Sequence, residues 1–363
     1  MIGSFRSLLP FACDFNSLNF ENMLSSAENR MWLRYLAADR IRQYQQQLER
    51  QPHQPSFHLA LHGSFFEEGA AQDVIASLGK CSQLESIFLD DFQCTSSTWM
   101  ALEECLQVLA ERVSRFQLRL RRIHVVQDGE TGTGSESNQE DENLDESDVY
   151  LARRLSQRVR QWTMDEAKQS MVELHLIDCS ITSHGAQVLF SNLGNTTTSL
   201  ELLSLEGNSI GNAGIRYVAQ AMEGPLSSLQ TLSVERVGAS DDGIRELLES
   251  IRHHRHLKSL NLTSNVMNPD NVRLLCDILS KENLTLECFQ WDGHDVLIDF
   301  WLSVNRAGRR FVLQDHNEAV RNRWPLVVLW PWILERLAQA DPSILYFFVR
   351  SRPEYSSRNQ AVS

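Results

Sequence analysis

The chain lacks the long apolar runs that membrane proteins need. Its longest such run, residues 324–334, is interrupted by Pro325 and Pro331 and is too short to cross a bilayer. The N-terminus shows no secretory signal, because its apolar stretch contains Pro10 and is followed by Asp14. We therefore expect a cytoplasmic protein, with a nuclear location as the alternative, and no contact with membranes.

Cysteine pairs and metal-binding patterns are also missing. The seven cysteines are scattered, without a Cys-x-x-Cys pair, which indicates reduced thiols in an intracellular protein. Cys179 and Cys276 occupy positions that we predict to face the core. The cluster at residues 253–256, His-His-Arg-His, falls in a predicted turn after a helix, where cations favour the helix C-terminus. We predict no metal site there and no disulfide.

Motifs for catalysis are equally scarce. The chain has no Gly-x-Ser-x-Gly, no His-Glu-x-x-His and no paired-carboxylate arrangement. Gly79-Lys80 lacks the upstream glycine of a phosphate-binding loop, since Val74 stands at that position. We expect a protein that is not an enzyme and uses no cofactor.

Basic charge is low, and the acidic charge is concentrated. The net charge is −13, and residues 128–148 contain nine acidic residues but no Lys or Arg. This balance argues against nucleic-acid binding, which needs a basic face. Segment 128–148 has a single apolar residue, so we predict a disordered acidic insertion. It is either a solvated loop without function, a regulatory phosphoacceptor segment, or an electrostatic lid over the basic residues that follow it, Arg153, Arg154, Arg158 and Arg160.

What the chain does contain is a repeat. The pattern Leu-x-x-Leu-x-Leu starts at Met171, Leu200, Leu229 and Leu257 and begins a fifth time at Leu286, so that the starts lie 28 or 29 residues apart. Alternating apolar residues predict a short strand in each copy. The residue eight positions past the start is Cys179, Asn208, Val237 or Asn265.

Each copy then predicts a capped helix. Eleven residues past the starts lie the expected N-cap residues, Thr182, Gly211, Ser240 and Asn268, with Pro269 at a first helical position. Small or turn-tolerant residues follow at Gly185, Gly214, Gly243 and Asn271. Apolar residues at i, i+3 and i+7 then form one helix face, as at Ile244, Leu247 and Ile251.

Strand, turn and capped helix at this period resemble the leucine-rich repeats of the ribonuclease-inhibitor type. The resemblance implies an α/β solenoid with a parallel inner sheet and outer helices, and an Asn or Cys at the eighth position whose side chain bonds neighbouring loop backbone. Three weaker repeats precede the strong ones, with strands at Leu59–Leu61, at Leu84–Leu89 and at Leu120–Val125.

The predicted organisation has five parts. They are a helical N-terminal cap over residues 1–55, degenerate repeats over 56–127, the insertion 128–148, regular repeats over 149–292, and a helical C-terminal cap with a frayed tail over 293–363. The rival to the N-terminal cap is an adaptor helix pair. The rival to the C-terminal cap is an exposed aromatic binding surface, because that region is rich in Trp, Phe and Leu.

Side chains two, four and six positions past each start are expected on the concave face of the sheet. Position six gives a broken acidic row, which favours a partner protein with a basic surface. The predicted binding residues are Asp90, Glu173, His175, Glu206, Glu235, Asn261 and Asp292. We expect a non-catalytic protein-interaction scaffold. The alternatives are a GTPase-activating protein of the Ran-activator type and a sensor or adaptor subunit, because the family uses one scaffold for all of these.

Overall fold

The structure is a computed structural model that describes residues 17–19, 57–62, 84–110, 115–126, 140–164, 171–193 and 198–306, with 75, 342, 346 and 350 as isolated positions. A parallel sheet of nine strands runs through these ranges in the order β1-β2-β3-β5-β7-β8-β9-β10-β11. Its strands are β1 (Ser17–Asn19), β2 (Phe57–His62), β3 (Leu84–Asp90), β5 (Phe116–Arg121), β7 (Met171–Ile177), β8 (Leu202–Ser204), β9 (Thr231–Ser233), β10 (Ser259–Asn261) and β11 (Cys288–Gln290). Two further strands, β4 (Gln93–Thr95) and β6 (His124–Val126), pair with each other.

From β3 onwards, helices connect successive strands of the large sheet and pack side by side. They are α1 (Ser96–Ala110), α2 (Glu140–Met164), α3 (Ser183–Leu193), α4 (Gly211–Met222), α5 (Asp241–Ile251), α6 (Pro269–Lys281) and α7 (Val296–Arg306). No helix in the described ranges is long and apolar enough to cross a membrane. The predicted α/β leucine-rich repeat solenoid, with its parallel inner sheet and outer helices, is confirmed.

The core lies between the sheet and the helices. Strand leucines such as Leu203 and Leu232 are at most 1% exposed, and so are the helix residues that face them, such as Val218 and Leu247. Burying each such side chain contributes about 2 kcal/mol relative to leaving it in water. One continuous apolar layer therefore runs through the repeats, as the leucine period predicts.

The helix caps are confirmed in three of the four predicted positions. Thr182 Oγ1 accepts hydrogen bonds from the N–H groups of His184 and Gly185, and Asn268 accepts from Asn271 N–H with Pro269 as the next residue. Ser240 is the N-cap of α5, although its side chain makes no capping bond. Gly211 is not an N-cap, because α4 already begins at this residue.

The frame that we predicted for the third weak repeat is wrong. Its strand is β5, in which Leu118 and Leu120 pair with Ile87 and Leu89 of β3, whereas His124–Val126 belongs to the small second sheet. The residue at position six of this repeat is therefore Arg121 and not Val126.

Both ends of the repeat array reach further than predicted. Ser17–Asn19, expected in a helix, forms the strand β1 and pairs with β2. At the other end the fifth repeat is complete, since α7 follows β11 and Asp295 Oδ1 accepts hydrogen bonds from the N–H groups at the start of that helix, Leu297 and Ile298. Apart from the isolated positions 342, 346 and 350, the rest of both predicted caps lies outside the described residues.

The acidic insertion also ends earlier than predicted. Helix α2 begins at Glu140, nine residues before position 149, where the predicted insertion gives way to the regular repeats, and the Asp148 side chain is buried. Arg154 and Arg158 donate to the buried carboxylate of Glu103 on α1, at 2.6 and 3.4 Å. These two arginines already have a partner within the fold, which weakens the interpretation of the acidic segment as a lid over them.

Candidate functional site

The concave face of the sheet carries the side chains that alternate with the buried leucines, at positions two, four and six of each repeat. The strand register aligns these side chains in rows across the sheet: Glu173 pairs with Leu202, His175 with Ser204, and Asn261 with Gln290. In the corrected frame, position six reads Asp90, Arg121, Ile177, Glu206, Glu235, Thr263 and Asp292. The row is therefore of mixed sign and not uniformly acidic.

Glu206 and Glu235 are the neighbouring acids of this row. They follow adjacent strands, and the N–H of Gly207 donates to the carbonyl of Glu235 at 2.9 Å. Burial raises the pKa of Glu206, and the nearby charge of Glu235 raises it further, while Arg236 acts in the opposite direction and does not cancel the effect. Its carboxylate makes no side-chain hydrogen bond within the described ranges. The site therefore has an uncompensated negative charge.

An ion pair lies beside these two acids, and its members come from the turns that follow β7 and β9. Arg236 donates to Asp178 Oδ1 at 2.8 Å, across the intervening repeat. The pair passes over Gly207, where a Cβ atom would lie 1.9 Å from Asp178 Oδ1. Gly207 also has a φ of 72°, in the left-handed region that glycine tolerates best. The glycine thus leaves room for the ion pair.

Asp90 does not belong to the accessible acidic site. It is 1% exposed and accepts hydrogen bonds from Arg121 Nε at 2.8 Å and from Arg122 at 3.1 Å. A carboxylate buried with two guanidinium groups has no charge left for a partner. The expectation that Asp90 extends the acidic row is therefore wrong.

The remaining predicted residues lie on the concave face or at its edge, with varied exposure. Glu173 accepts from Gln117 Nε2 at 3.0 Å and lies 3.6 Å from His175 Nε2. Asn261 donates to Glu235 Oε2 at 2.8 Å and so holds that carboxylate in place. Asp292, which is exposed, accepts from Ser264 N–H at 2.7 Å. The structure therefore does not bring all seven predicted residues together.

The histidine cluster at 253–256 contains a structural residue. The His254 side chain accepts hydrogen bonds at Nδ1 from the N–H groups of His256 and Leu257, and its Nε2 lies 3.1 Å from the carbonyl oxygen of Leu226. Burial lowers the pKa of His254, so the ring is not the helix-terminal cation that we expected. Among the residues that the structure describes, no group of three or more His, Cys, Asp or Glu is placed to hold a metal ion.

Acid should destabilise the repeats through two histidines, of which His254 is buried and His175 partly buried. Burial, with a smaller effect of Arg119, lowers the pKa of His175 to about 4, and burial lowers that of His254 as well. Both rings bind protons more readily when unfolded, with a pKa of about 6.5. Stability should therefore be constant above pH 7 and fall as the pH drops from about 6.5 towards 4.

Urea unfolding at pH 7.5 and pH 5.0 tests this expectation. Between these two pH values, the free energy of unfolding of the wild type should fall by about 1 kcal/mol more than that of His175→Gln. This loss is smaller than the full pKa shift implies, because the ring is partly exposed to solvent. Equal pH dependence of the two proteins would contradict the role of His175.

Sequence reasoning missed the residues that surround the acidic pair. Asp178 and Arg236 lie at position seven, where the backbone adopts φ values of 49° and 52°. Position seven is left-handed in six successive repeats, and five of these residues are not glycine: Asp91, Arg122, Asp178, Arg236 and Ser264. Only Gly207 carries the usual sequence signal for this conformation. A search for charged residues one position past the predicted row would have found the ion pair.

Comparisons with known proteins agree with this architecture. A family model described as Leucine Rich repeat matches residues 253–276. Ribonuclease inhibitor of Mus musculus is 32% identical over 114 residues, which are 31% of this chain and 25% of that protein. NACHT, LRR and PYD domains-containing protein 5 of Homo sapiens is 31% identical over 118 residues, 32% of this chain and 10% of that protein.

A third relative, NACHT, LRR and PYD domains-containing protein 3 of Mus musculus, is 32% identical over 101 residues, 28% of this chain and 10% of that protein. The chain thus spans a quarter or less of the length of these three relatives. The family model lies within the regular repeats, across the turn before β10, the strand itself and part of α6. We conclude that the chain is built of leucine-rich repeats and that these repeats are of the ribonuclease-inhibitor-like type.

Proposed function

We propose that the chain is a non-catalytic scaffold that binds a partner protein on its concave face, with a basic side chain of the partner placed between Glu206 and Glu235. The observation that carries this proposal is the placement of two carboxylates, Glu206 and Glu235, at the same position of adjacent repeats. Burial and the charge of Glu235 raise the pKa of Glu206, in agreement with this placement. A cation brought to this site relieves the repulsion and gains a charge-assisted hydrogen bond. Glu173, His175, Asn261 and Asp292 supply polar contacts around it.

The repeat relatives support a binding role. Ribonuclease inhibitor is named for its action on another protein, and 114 residues of this chain are similar to it. A sensor or adaptor subunit is the second candidate, because other relatives are named for NACHT and PYD domains joined to their repeats. Both candidate functions require the repeats to bind another protein, so one experiment on the concave face tests both.

Charge reversal of the acidic pair should abolish partner capture. Immobilised wild type, the double variant Glu206→Lys/Glu235→Lys and the control Glu223→Lys are incubated with the same cell extract, and the retained proteins are compared by quantitative mass spectrometry. We expect a partner retained at least about tenfold less by the double variant, because two attractive contacts become repulsive.

Glu223 suits the control because it is exposed and lies at the end of α4, away from the concave face. Its reversal changes the net charge with the same sign and leaves the pair intact, so the partner should still be retained. If the three proteins retain the same set in the same amounts, the concave acidic pair is not the binding site.

A further inference from the structure

The concave face carries a second charged feature, of opposite sign, that the acidic row did not predict. Arg119 is exposed at position four of β5, and its guanidinium carbon lies 5.7 Å from the centroid of the Phe88 ring on β3. Arg121 approaches the same ring at 5.8 Å. Cation–π geometry of this kind holds an arginine side chain against a half-buried aromatic surface. We call Phe88, Arg119 and Arg121 the basic pole.

The two arginines of this pole differ in what they can still bind. Arg121 is committed to the buried carboxylate of Asp90, at 2.8 Å from its Nε. Arg119 has no carboxylate partner among the described residues, and its charge contributes to lowering the pKa of His175. Its guanidinium is therefore free to donate two parallel hydrogen bonds to a carboxylate.

The basic pole and the acidic pair lie on one continuous surface with an apolar residue between them. Arg121 pairs with Ile177 in the sheet register, and the residue after Ile177 donates its N–H to the carbonyl of Glu206 at 2.8 Å. Arg119 is two strands from Glu206 and three from Glu235. With strands about 4.8 Å apart and a shift of two residues along the strand, the charges are separated by about 12–16 Å.

We propose that the partner segment bound on the concave face is bipolar, with an acidic residue on Arg119, an apolar residue over Ile177, and a basic residue between Glu206 and Glu235. This inference rests on the proposed function and narrows the class of partner. An extended chain spans about 12–16 Å in four or five residues, so the acid and the base lie that far apart in the partner.

The basic pole also excludes partners. A uniformly basic segment that satisfies Glu206 and Glu235 would bring its other cations against Arg119, where like charges repel. A uniformly acidic segment would be repelled by Glu206 and Glu235, and also by the net charge of the chain, which is −13. The surface therefore selects for the order of charges and not for one sign.

A peptide library tests the inference without knowledge of the natural partner. Random twelve-residue peptides displayed on yeast are selected against the wild-type chain, and the enriched peptides are measured by fluorescence anisotropy. We expect an acidic residue four or five positions from a basic residue, with an apolar residue between them. Arg119→Glu should lower the affinity for the enriched peptides by about tenfold or more, because it replaces a charge-assisted hydrogen bond with repulsion between like charges.

Arg245→Glu is the matched control, because Arg245 is exposed on the outer helix α5 and its reversal changes the net charge equally. It should leave binding unchanged, and circular dichroism should show both variants folded.

Enrichment of peptides of a single charge sign, or equal binding to wild type and Arg119→Glu, overturns the bipolar inference. Basic peptides that still require Glu206 and Glu235 would leave the proposed function intact, whereas binding that is indifferent to Glu206→Lys/Glu235→Lys would remove the proposed function itself.

Discussion

Replacing Asn208 by Ala should cost about 3 kcal/mol of stability, because its amide satisfies four buried backbone groups. Oδ1 accepts from the N–H groups of Cys179 and Ile181, both at 3.0 Å. Nδ2 donates to the carbonyl oxygens of Leu176 and Leu205, at 2.7 and 2.8 Å. Three of these groups belong to the preceding repeat, so the variant loosens the junction between two repeats.

Urea unfolding followed by circular dichroism measures this loss, and Ser209→Ala supplies the control. Ser209 is the exposed neighbour of Asn208, and its truncation should change stability by less than about 0.5 kcal/mol. Asn265 occupies the same position two repeats later and makes the corresponding bonds. Its side chain accepts from the N–H groups of Val237 and Ala239 and donates to the carbonyl oxygens of Val234 and Leu262. Asn265→Ala should therefore show a similar loss. A cost below 1 kcal/mol at both positions would contradict the account.

The bonds of these two asparagines were expected from the resemblance to leucine-rich repeats, in which an Asn or Cys at this position bonds neighbouring loop backbone. The strands and helices of the regular repeats were predicted from the sequence itself, where leucine alternation, helix stripe and cap coincide. Cys179 is buried like its asparagine counterpart, and its thiol lies 3.5 Å from the carbonyl oxygen of Leu120. Burial raises its pKa to about 12, which keeps the thiol protonated.

The third repeat was misplaced because the wrong frame fits the apolar pattern better than the true one. Leu120, Ile123 and Val125 satisfy Leu-x-x-Leu-x-Leu, whereas the true frame has Leu118 and Leu120 inward but Arg115 at its first position. The frame is decided by the left-handed turn at Arg122, with a φ of 51°, and arginine carries no propensity that marks such a turn. An error of this kind shifts every predicted concave residue of the repeat.

The candidate site was predictable only in part for a related reason. Sequence periodicity places a side chain on a face, but it does not tell whether a neighbour neutralises that side chain. Asp90 and Glu206 occupy the same position of their repeats, yet Asp90 is buried with two arginines and Glu206 lies beside another acid. The difference arises from residues on neighbouring strands, which are far away in sequence.

Asp148 should be a structural residue, although the sequence placed it in the acidic insertion. Its Oδ2 accepts a hydrogen bond from the N–H of Thr182, the N-cap of α3, at 2.6 Å. Asn212 and Asp241 do the same for Ser240 and Asn268, at 2.7 and 2.8 Å. We expect Asp148→Ala to lose about 2 kcal/mol, because a bond between an N–H and a carboxylate is lost and a polar group is left without its partner.

Asp148→Asn separates the hydrogen bond from the charge. The amide oxygen can still accept from Thr182 N–H, as Asn212 does from Ser240 N–H. The other carboxylate oxygen of Asp148 has no hydrogen-bond partner among the residues that the structure describes. Removing a buried negative charge costs little when only one of the two carboxylate oxygens is hydrogen-bonded. The free energy of unfolding of Asp148→Asn should therefore be higher than that of the wild type or within about 0.5 kcal/mol of it. Asp270→Ala, at an exposed first-turn carboxylate of α6, is the control and should be nearly neutral. Equal stability of Asp148→Ala and wild type in urea unfolding would show that the acidic segment extends through Asp148 without structural consequence, as its composition alone predicts.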